Sequence, residues 1–261
     1  MTRRFFILCL MLMAAVFAAP QKAAADALDD IMKNKVIKIA VPQDFAPFGS
    51  AGPDLKPVGY DIDMANLIAK ELGVKVELVP VNSANRIPYL QTRKVDLVIS
   101  SLGKNPDREK VIDFTKAYAP FFQGVFGLKD AKIEKPEDLA GKTVGATRGS
   151  IEEQEITKLA PSSATIKRYE DNNATIAAFL SGQVDIIATG NVVAAAIAEK
   201  SPARAPMSKF VIKDSPCFIG LNKDEPKLLA KINEIIDKAK AAGELSKISE
   251  KWLKAPLPAS I

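Results

Sequence analysis

Four polar residues follow a short apolar stretch near residue 100, and their types suit the binding of an anion. Residues 95–99 are apolar and rich in branched side chains, which predicts a buried parallel strand. Ser100, Ser101, Asn105 and Arg108 come next, at the strand end where open α/β sheets place their ligands. Hydroxyl groups donate directional hydrogen bonds, and a planar guanidinium matches a carboxylate in spacing and charge. The sequence therefore predicts a carboxylate-binding site.

These residues also have an ordinary structural explanation, because turn arginines commonly form surface ion pairs and serines commonly cap helices. However, the order of strand, serine, loop and arginine in residues 95–114 resembles that of solute-binding proteins of bacterial ABC importers for polar amino acids, solute-binding protein family 3. The resemblance implies that Ser101 and Arg108 hold the α-carboxylate of the ligand. It also adds Gly103, between them, as a ligand-binding position.

A second arginine lies in a loop that leads towards the same predicted strand. The run Ser83-x-Asn85-Arg86-Ile87-Pro88 resembles glutamate/aspartate-binding members of the family. That resemblance implies that Ser83 and Arg86 reach a side-chain carboxylate of the ligand. Two guanidinium groups in one cleft would favour a dianionic ligand. The alternative is that Arg86 pairs with a surface acid such as Asp107.

The second half of the chain offers a further anion-binding turn. Residues 143–146 predict a strand, and Gly149 with Ser150 begins a predicted helix over residues 151–159. A glycine and a serine at a helix start let backbone N–H groups approach an anion, although capping alone explains the serine equally well. The turn lacks the lysine of a phosphate loop, which argues against nucleotide binding. The resemblance implies that Ser150, with neighbouring Thr147, contacts the ligand carboxylate.

One aromatic residue is expected to form a wall of the site. Residues 36–41 predict the first strand, and the loop 42–49 that follows it contains Phe45 and Phe48. Each phenylalanine could either face a ligand or cover the core. The resemblance favours Phe45 as the surface against which the aliphatic part of the ligand packs, with Phe48 in the core.

The sequence departs from the family at the position expected to bind the ligand ammonium. Family members usually carry an aspartate after the strand that residues 184–189 predict, and here that position is Gly190. Asn191 is neutral, so it cannot balance a cation alone. Both positions are retained as ligand-binding candidates. Either another acid such as Asp171 supplies the charge, or the ligand lacks an α-ammonium group.

The predicted elements place these residues in two similar halves. A helix over residues 62–72, capped by Asp61 and followed by a strand over 74–79, completes a β-α-β unit and hence a parallel sheet. The sequence pattern of residues 90–97, where a predicted helix leads into a strand, is repeated approximately at residues 180–186. The resemblance implies an α/β, two-lobed periplasmic binding protein fold of type II, with a mainly parallel sheet flanked by helices in each lobe. The expected division is lobe 1 over 26–117 and 218–261, lobe 2 over 123–212, and hinge crossovers over 118–122 and 213–217.

Residues 1–25 are predicted to be a signal peptide that is removed on export. Arg3 and Arg4 precede an apolar run over residues 5–19, and three alanines follow before Asp26. That run is shorter than the ~20 residues of a membrane-spanning helix, which argues against the alternative of an uncleaved anchor. The leader has three basic residues and no acidic one, so 33 of the 36 basic residues remain against 31 acidic residues. A balance this even gives no case for nucleic acid.

Composition excludes several kinds of chemistry. The chain has no histidine, and Cys217 is the one cysteine after residue 25, so zinc sites, Ser-His or Cys-His catalysis and an intrachain disulfide are excluded. We therefore expect no metal and no cofactor. The prediction is a transport protein and not an enzyme.

The predicted function is that of a periplasmic solute-binding protein, acting as a monomer. It would capture a small carboxylate, favouring a polar or acidic amino acid, by hinge closure and deliver it to an ABC permease in the inner membrane. Three alternatives remain: a non-amino dicarboxylate as ligand, a ligand-sensing module for a membrane receptor, and a periplasmic dehydratase-like enzyme. The enzyme would need a carboxylate, lysine or tyrosine in the cleft as its general acid.

Overall fold

A computed structural model of the protein describes residues 26–261, so the predicted signal peptide lies outside the described residues. Two five-stranded sheets organise this part of the chain. The elements around the first sheet are α1 (Ala27–Asn34), β1 (Val36–Pro42), β2 (Asp44–Phe45), β3 (Gly49–Ala51), β4 (Pro57–Val58), α2 (Tyr60–Leu72), β5 (Lys75–Val81), α3 (Arg86–Gln91), β6 (Leu97–Leu102), α4 (Pro106–Glu109) and β7 (Ile112–Ala119). The second group comprises β8 (Phe122–Gly127), β9 (Thr143–Thr147), α5 (Ile151–Leu159), β10 (Thr165–Tyr169), α6 (Asn172–Leu180), β11 (Ile186–Gly190), α7 (Asn191–Lys200) and β12 (Met207–Asp214). The chain then adds β13 (Cys217–Asn222), α8 (Pro226–Ala241) and α9 (Glu244–Leu253) to the first group.

The two sheets have matching topologies. The first has the strand order β5-β1-β6-β13-β7, and the second has the order β10-β9-β11-β8-β12. In each sheet three neighbouring strands are parallel, as predicted from the β-α-β pattern. One strand of each sheet, β13 or β8, pairs antiparallel with both of its neighbours. Each antiparallel strand is the first strand after the chain arrives from the other sheet, which explains its reversed direction.

The chain passes between the sheets twice, after Ala119 and after Asp214. These passages fall within the segments predicted as crossovers, and the lobe boundaries given above stay a prediction. The architecture is the two-lobed α/β fold that the resemblance implied. We call the unit built on the first sheet lobe 1 and that built on the second sheet lobe 2. Within residues 26–261, no helix is both long and apolar enough to cross a membrane.

Helix α2 shows how the core is built and how one local prediction differed from the structure. Ala65, Ile68 and Leu72 lie three or four residues apart and are buried against the first sheet, as the helical period requires. The predicted cap, Asp61, does not cap the helix. Instead the helix begins at Tyr60 after Gly59, whose φ of 146° strongly favours glycine. Asp61 therefore lies in the first turn, where it is fully buried.

Candidate functional site

A cavity lies between the two lobes, at the carboxyl ends of β1 and β6 and the start of α5. Eight of the ten predicted ligand-binding residues line it: Phe45, Ser83, Arg86, Ser101, Gly103, Arg108, Thr147 and Ser150. Other lining residues include Asp44, Ser100, Phe121, Ile151, Glu152, Asn172 and Thr189. The structure therefore brings together groups from seven separate stretches of the sequence.

Arg108 reaches across the cavity from a short helix. Pro106 begins α4, and the Asn105 side chain caps it by accepting a hydrogen bond from the Arg108 backbone N–H at 2.9 Å. The Arg108 guanidinium donates through Nη1 to the Gly103 carbonyl at 2.8 Å and through Nη2 to the Gly149 carbonyl of lobe 2 at 3.0 Å. Its Nε–H is buried and has no hydrogen-bond partner among residues 26–261. One donor of this arginine is thus left for another group.

Arg86 lies beside Arg108 and does not form the surface ion pair that was the alternative. It is buried, and it donates through Nε to the Ser83 carbonyl at 3.1 Å and through Nη1 to the Ser100 carbonyl at 2.8 Å. A longer contact of 3.4 Å joins its Nη2 to the Gly149 carbonyl. Two guanidinium groups therefore converge on one carbonyl oxygen of the opposite lobe.

Burial changes the acid–base properties of both arginines. Desolvation, followed by the repulsion of nearby Arg86, lowers the pKa of Arg108 to about 9. Desolvation also lowers the pKa of Arg86, and the carboxylates of Glu152 and Asp44 oppose that change. A pKa of about 9 leaves Arg108 positively charged at neutral pH.

Ser101 is held in an unusual backbone conformation by a buried acid. Its φ of 42° is rare for a residue with a side chain and costs free energy. The Ser101 N–H donates to the Asp61 carboxylate at 2.7 Å, and the Tyr118 hydroxyl donates to the other oxygen of that carboxylate at 2.6 Å. Desolvation raises the pKa of Asp61 to about 7. Asp61 thus fixes the strand end on which Ser101 lies.

The turn of lobe 2 combines capping with access to the cavity. The Ser150 hydroxyl accepts a hydrogen bond from the Glu153 N–H at 3.0 Å, so it caps α5 while also lining the cavity. Gly149 has a φ of 74°, and a Cβ there would lie 2.7 Å from the Ala84 Cα of lobe 1. Glycine is required at this point because the two lobes touch. The Thr147 hydroxyl bonds within lobe 2, to the Asn172 Oδ1 at 2.8 Å.

Gly190 and Asn191 do not line the cavity, so no contact supports their assignment as ligand-binding positions, which stays a prediction. A Cβ at Gly190 would lie 2.0 Å from Cζ of the Phe121 ring, so the ring occupies the space that a side chain would need. The Asn191 side chain accepts a hydrogen bond from the Phe122 N–H at 3.1 Å and so holds the chain where it enters lobe 2. Asp171, considered above as a replacement acid, accepts the Ala174 N–H and caps α6.

The structure adds two carboxylates that the sequence analysis missed. Asp44 is buried beside Phe45, and its Oδ2 accepts hydrogen bonds from the Asn172 N–H at 2.7 Å and the Asn172 side-chain amide at 3.1 Å. Glu152 is buried two residues after Ser150, at the start of α5. The sequence did contain a signal for each carboxylate. Asp44 is a polar residue next to Phe45, and Glu152 is an acidic residue in the first turn of a predicted helix. Neither signal is specific without the contact between lobes.

These two carboxylates change the charge of the cavity. Desolvation raises the pKa of both acids, while the hydrogen bonds from Asn172 oppose the rise at Asp44, and Arg86 opposes it at both. With all four groups ionised, two guanidinium charges are balanced by two carboxylate charges. This count of charges favours a ligand with one carboxylate, and the preference for a dianion that two arginines alone would give stays a prediction. Within the described part of the chain, no acidic or cysteine side chains are grouped so as to hold a metal ion.

A cluster of aromatic rings lies at one side of the cavity. Phe45 lines the cavity and lies between Phe48 and Phe121, with ring centroids 6.0 Å and 6.2 Å away. Phe48 is fully buried in the core. An apolar face is thus placed beside the charged groups.

Two α/β lobes enclosing a charged cavity, with two chain passages between them, define the class of two-lobed solute-binding proteins of type II. Residues 37–255 match the bacterial extracellular solute-binding proteins, family 3, and the chain belongs to that family.

Individual relatives agree with this assignment over nearly their whole lengths. The chain is 30% identical to the ABC transporter glutamine-binding protein of Bacillus subtilis over 241 residues, which cover 90% of this chain and 88% of the relative. The crystal structure of a cysteine-binding protein from Campylobacter jejuni matches with a TM-score of 0.82 and 28% identity, covering 90% of this chain and 96% of that one. An ancestral amino acid-binding protein, described as a precursor of cyclohexadienyl dehydratase, matches with a TM-score of 0.79 and 33% identity, covering 87% and 99%.

Proposed function

We propose that this protein captures a small amino acid in the periplasm and delivers it to an ABC permease in the inner membrane. The observation that carries the proposal is the pair of buried guanidinium groups, which converge with Ser101 and Ser150 on one cavity between two lobes. A carboxylate is the ligand group that such donors match in shape and charge. Relatives that bind glutamine and cysteine support an amino acid as the bearer of that carboxylate.

Ligand capture would act through closure of the cleft. Arg108 with Gly149, and Asp44 with Asn172, already link lobe 1 to lobe 2 by direct hydrogen bonds. A ligand that touches both lobes adds contacts that exist only when the lobes are together. It therefore favours the closed form by its difference in affinity between the two forms. Lobes divided at residues 118–122 and 213–217 would give the two hinges that this motion needs.

The cellular setting follows from the family and from the leader. The family is extracellular, and the proposed cleavage of residues 1–25 would release the protein into the periplasm as a monomer. Within the proposed ligand class, the resemblance of residues 83–88 to acidic-amino-acid binders favours a polar or acidic amino acid, whereas the carboxylates of Asp44 and Glu152 in the cavity favour a polar one.

Thermal-shift screening of the purified protein against amino acids and their keto-acid counterparts tests this proposal. A specific ligand stabilises the folded state by mass action, by roughly 2.7 kcal/mol at a hundred times its dissociation constant. We expect a large shift with one or a few amino acids, and calorimetry should then give one site per chain. A protein that no amino acid stabilises would contradict the proposed function.

A dehydratase-like enzyme is the second candidate, favoured by one observation. Glu152 is a buried carboxyl in the cavity, and desolvation raises its pKa towards the range that suits a general acid. Incubating the purified protein with cyclic carboxylic acids and following product formation distinguishes the two functions. Turnover that is lost in Glu152→Gln would favour the enzyme, and binding without turnover would favour the transport protein.

A further inference from the structure

The charged groups of the cavity are separated into a cationic end and an anionic end. Arg86 and Arg108 lie together, and the carboxylate of Glu152 acts on both. Asp44 lies at the start of α6, where the carboxylate of Asp171 acts on it more strongly than the guanidinium of Arg86 does. The cavity therefore has a cationic end with a net charge of about +1 and an anionic end at Asp44.

Asp44 has one carboxylate oxygen in use and one available. Both hydrogen bonds from Asn172 end on Oδ2. These bonds orient the carboxylate, and the positive end of the α6 dipole stabilises its charge. Since Asp44 lines the cavity, its Oδ1 can accept a hydrogen bond from a bound molecule. Asp171 does not compete for this role, because its side chain caps α6.

Gly190, the last residue of β11, has no space for a side chain that would supply a counter-charge. The Phe121 ring fills the space beside Gly190, and Phe121 is itself packed against Phe45 and Phe48. A carboxylate at residue 190 would have to displace that cluster. The negative charge of the cavity must therefore come from elsewhere in the cleft.

We propose that Asp44 binds the ammonium group of the ligand while Glu152 balances one of the two arginines, so that the site selects a zwitterionic α-amino acid with an uncharged side chain. This inference rests on the proposed function and names its substrate class. Arg86 and Arg108 line the cavity together, and the ligand carboxylate would bind at this cationic end. A dicarboxylate would bring a second negative charge into a cavity where two carboxyl groups already lie with the two guanidinium groups.

The test compares each amino acid with the same molecule lacking its amino group. Suitable pairs are glutamine with glutaramic acid and cysteine with 3-mercaptopropionic acid. Dissociation constants are measured by calorimetry for wild type, for Asp44→Asn and for the control Asp54→Asn, which alters an exposed aspartate paired with Lys56. We expect wild type to bind the amino acid roughly 10- to 100-fold more tightly than its deaminated partner, because a charge-assisted hydrogen bond is lost.

In Asp44→Asn that preference should largely disappear, whereas Asp54→Asn should keep it. Equal affinity of wild type for both members of a pair would overturn the inference, and this comparison does not depend on how well the variant folds. A preference that Asp44→Asn retains would overturn it as well. The proposed function fails in a different way, with no binding of either molecule to wild type.

Discussion

Arg108 of lobe 1 donates a hydrogen bond to the backbone carbonyl of Gly149 in lobe 2 at 3.0 Å. The residue expected to hold the ligand carboxylate thus also joins the two lobes. Its other terminal nitrogen is bound to Gly103, which fixes the plane of the guanidinium. Ligand binding and closure of the cleft therefore depend on one side chain.

Replacement of Arg108 by alanine should abolish ligand binding while leaving the fold intact. The guanidinium offers a charge and a planar set of donors, and Arg86 cannot replace it because its own Nε and Nη1 are bound to the carbonyls of Ser83 and Ser100. Affinity should therefore fall by more than roughly 100-fold. Calorimetry with the amino acid found by screening measures the loss, and circular dichroism checks the fold. Arg148→Ala is the matched control, because Arg148 is half exposed and pairs with Glu170. Unchanged affinity in Arg108→Ala would refute the assignment.

The sequence predicted those parts of the site that depend on local order. Ser101 lies near the carboxyl end of β6 and Arg108 lies in the short helix after it, and a parallel sheet brings the ends of its strands to one edge. Ser150 begins a helix, and that position is set by the few residues around it. The two-lobed fold followed from the repeated β-α-β pattern together with the family resemblance.

What the sequence could not predict depends on contacts between distant residues. Asp44 becomes part of the site because Asn172, 128 residues later, binds its carboxylate from the other lobe. Gly190 is excluded from the site because Phe121 occupies the adjacent space. No local pattern reports such contacts. For the same reason, the sequence did not predict that β8 and β13 run antiparallel to their neighbours, because their direction is set by the passage of the chain between the lobes.

Substitution of Gly190 should destabilise the protein and should not restore an ammonium site. A Cβ at this position would lie 2.0 Å from the Phe121 ring, which is confined by Phe48. Overpacking of this kind costs about 1–3 kcal/mol, which urea unfolding of Gly190→Ala should measure. The loss should be smaller when Phe121→Ala is present, since the two sites couple. A rise in amino-acid affinity in Gly190→Asp would contradict this account.

Glu152→Gln should shift the preference of the site towards dicarboxylic amino acids. Without this buried negative charge, the two arginines at the cationic end can balance both carboxylates of a ligand such as glutamate. The ratio of glutamate to glutamine affinity should therefore rise by roughly tenfold or more, since a change of 1.4 kcal/mol gives tenfold. Competition calorimetry with both ligands measures the ratio. The control is Glu170→Gln, which alters a surface acid of the same lobe. If Glu152→Gln leaves the ratio unchanged, Glu152 does not set the charge of the site.

Asp61 should make the stability of the protein depend on pH in a defined direction. Burial raises its pKa from 3.8 in an ordinary setting to about 7 in the folded protein, so the folded state binds a proton that the unfolded state releases. The stabilising contribution of this group is complete below about pH 4 and is lost as the pH rises towards 8. At 1.36 kcal/mol for each unit of pKa, the total is at most about 4 kcal/mol. Urea unfolding of wild type and Asp61→Asn at intervals from pH 4 to pH 8 isolates the effect, because the other titrating groups cancel in the difference. The free energy of unfolding of wild type minus that of Asp61→Asn should fall steadily over this range and level off above it. A difference that stays constant or rises with pH would show that Asp61 stays ionised in the folded protein.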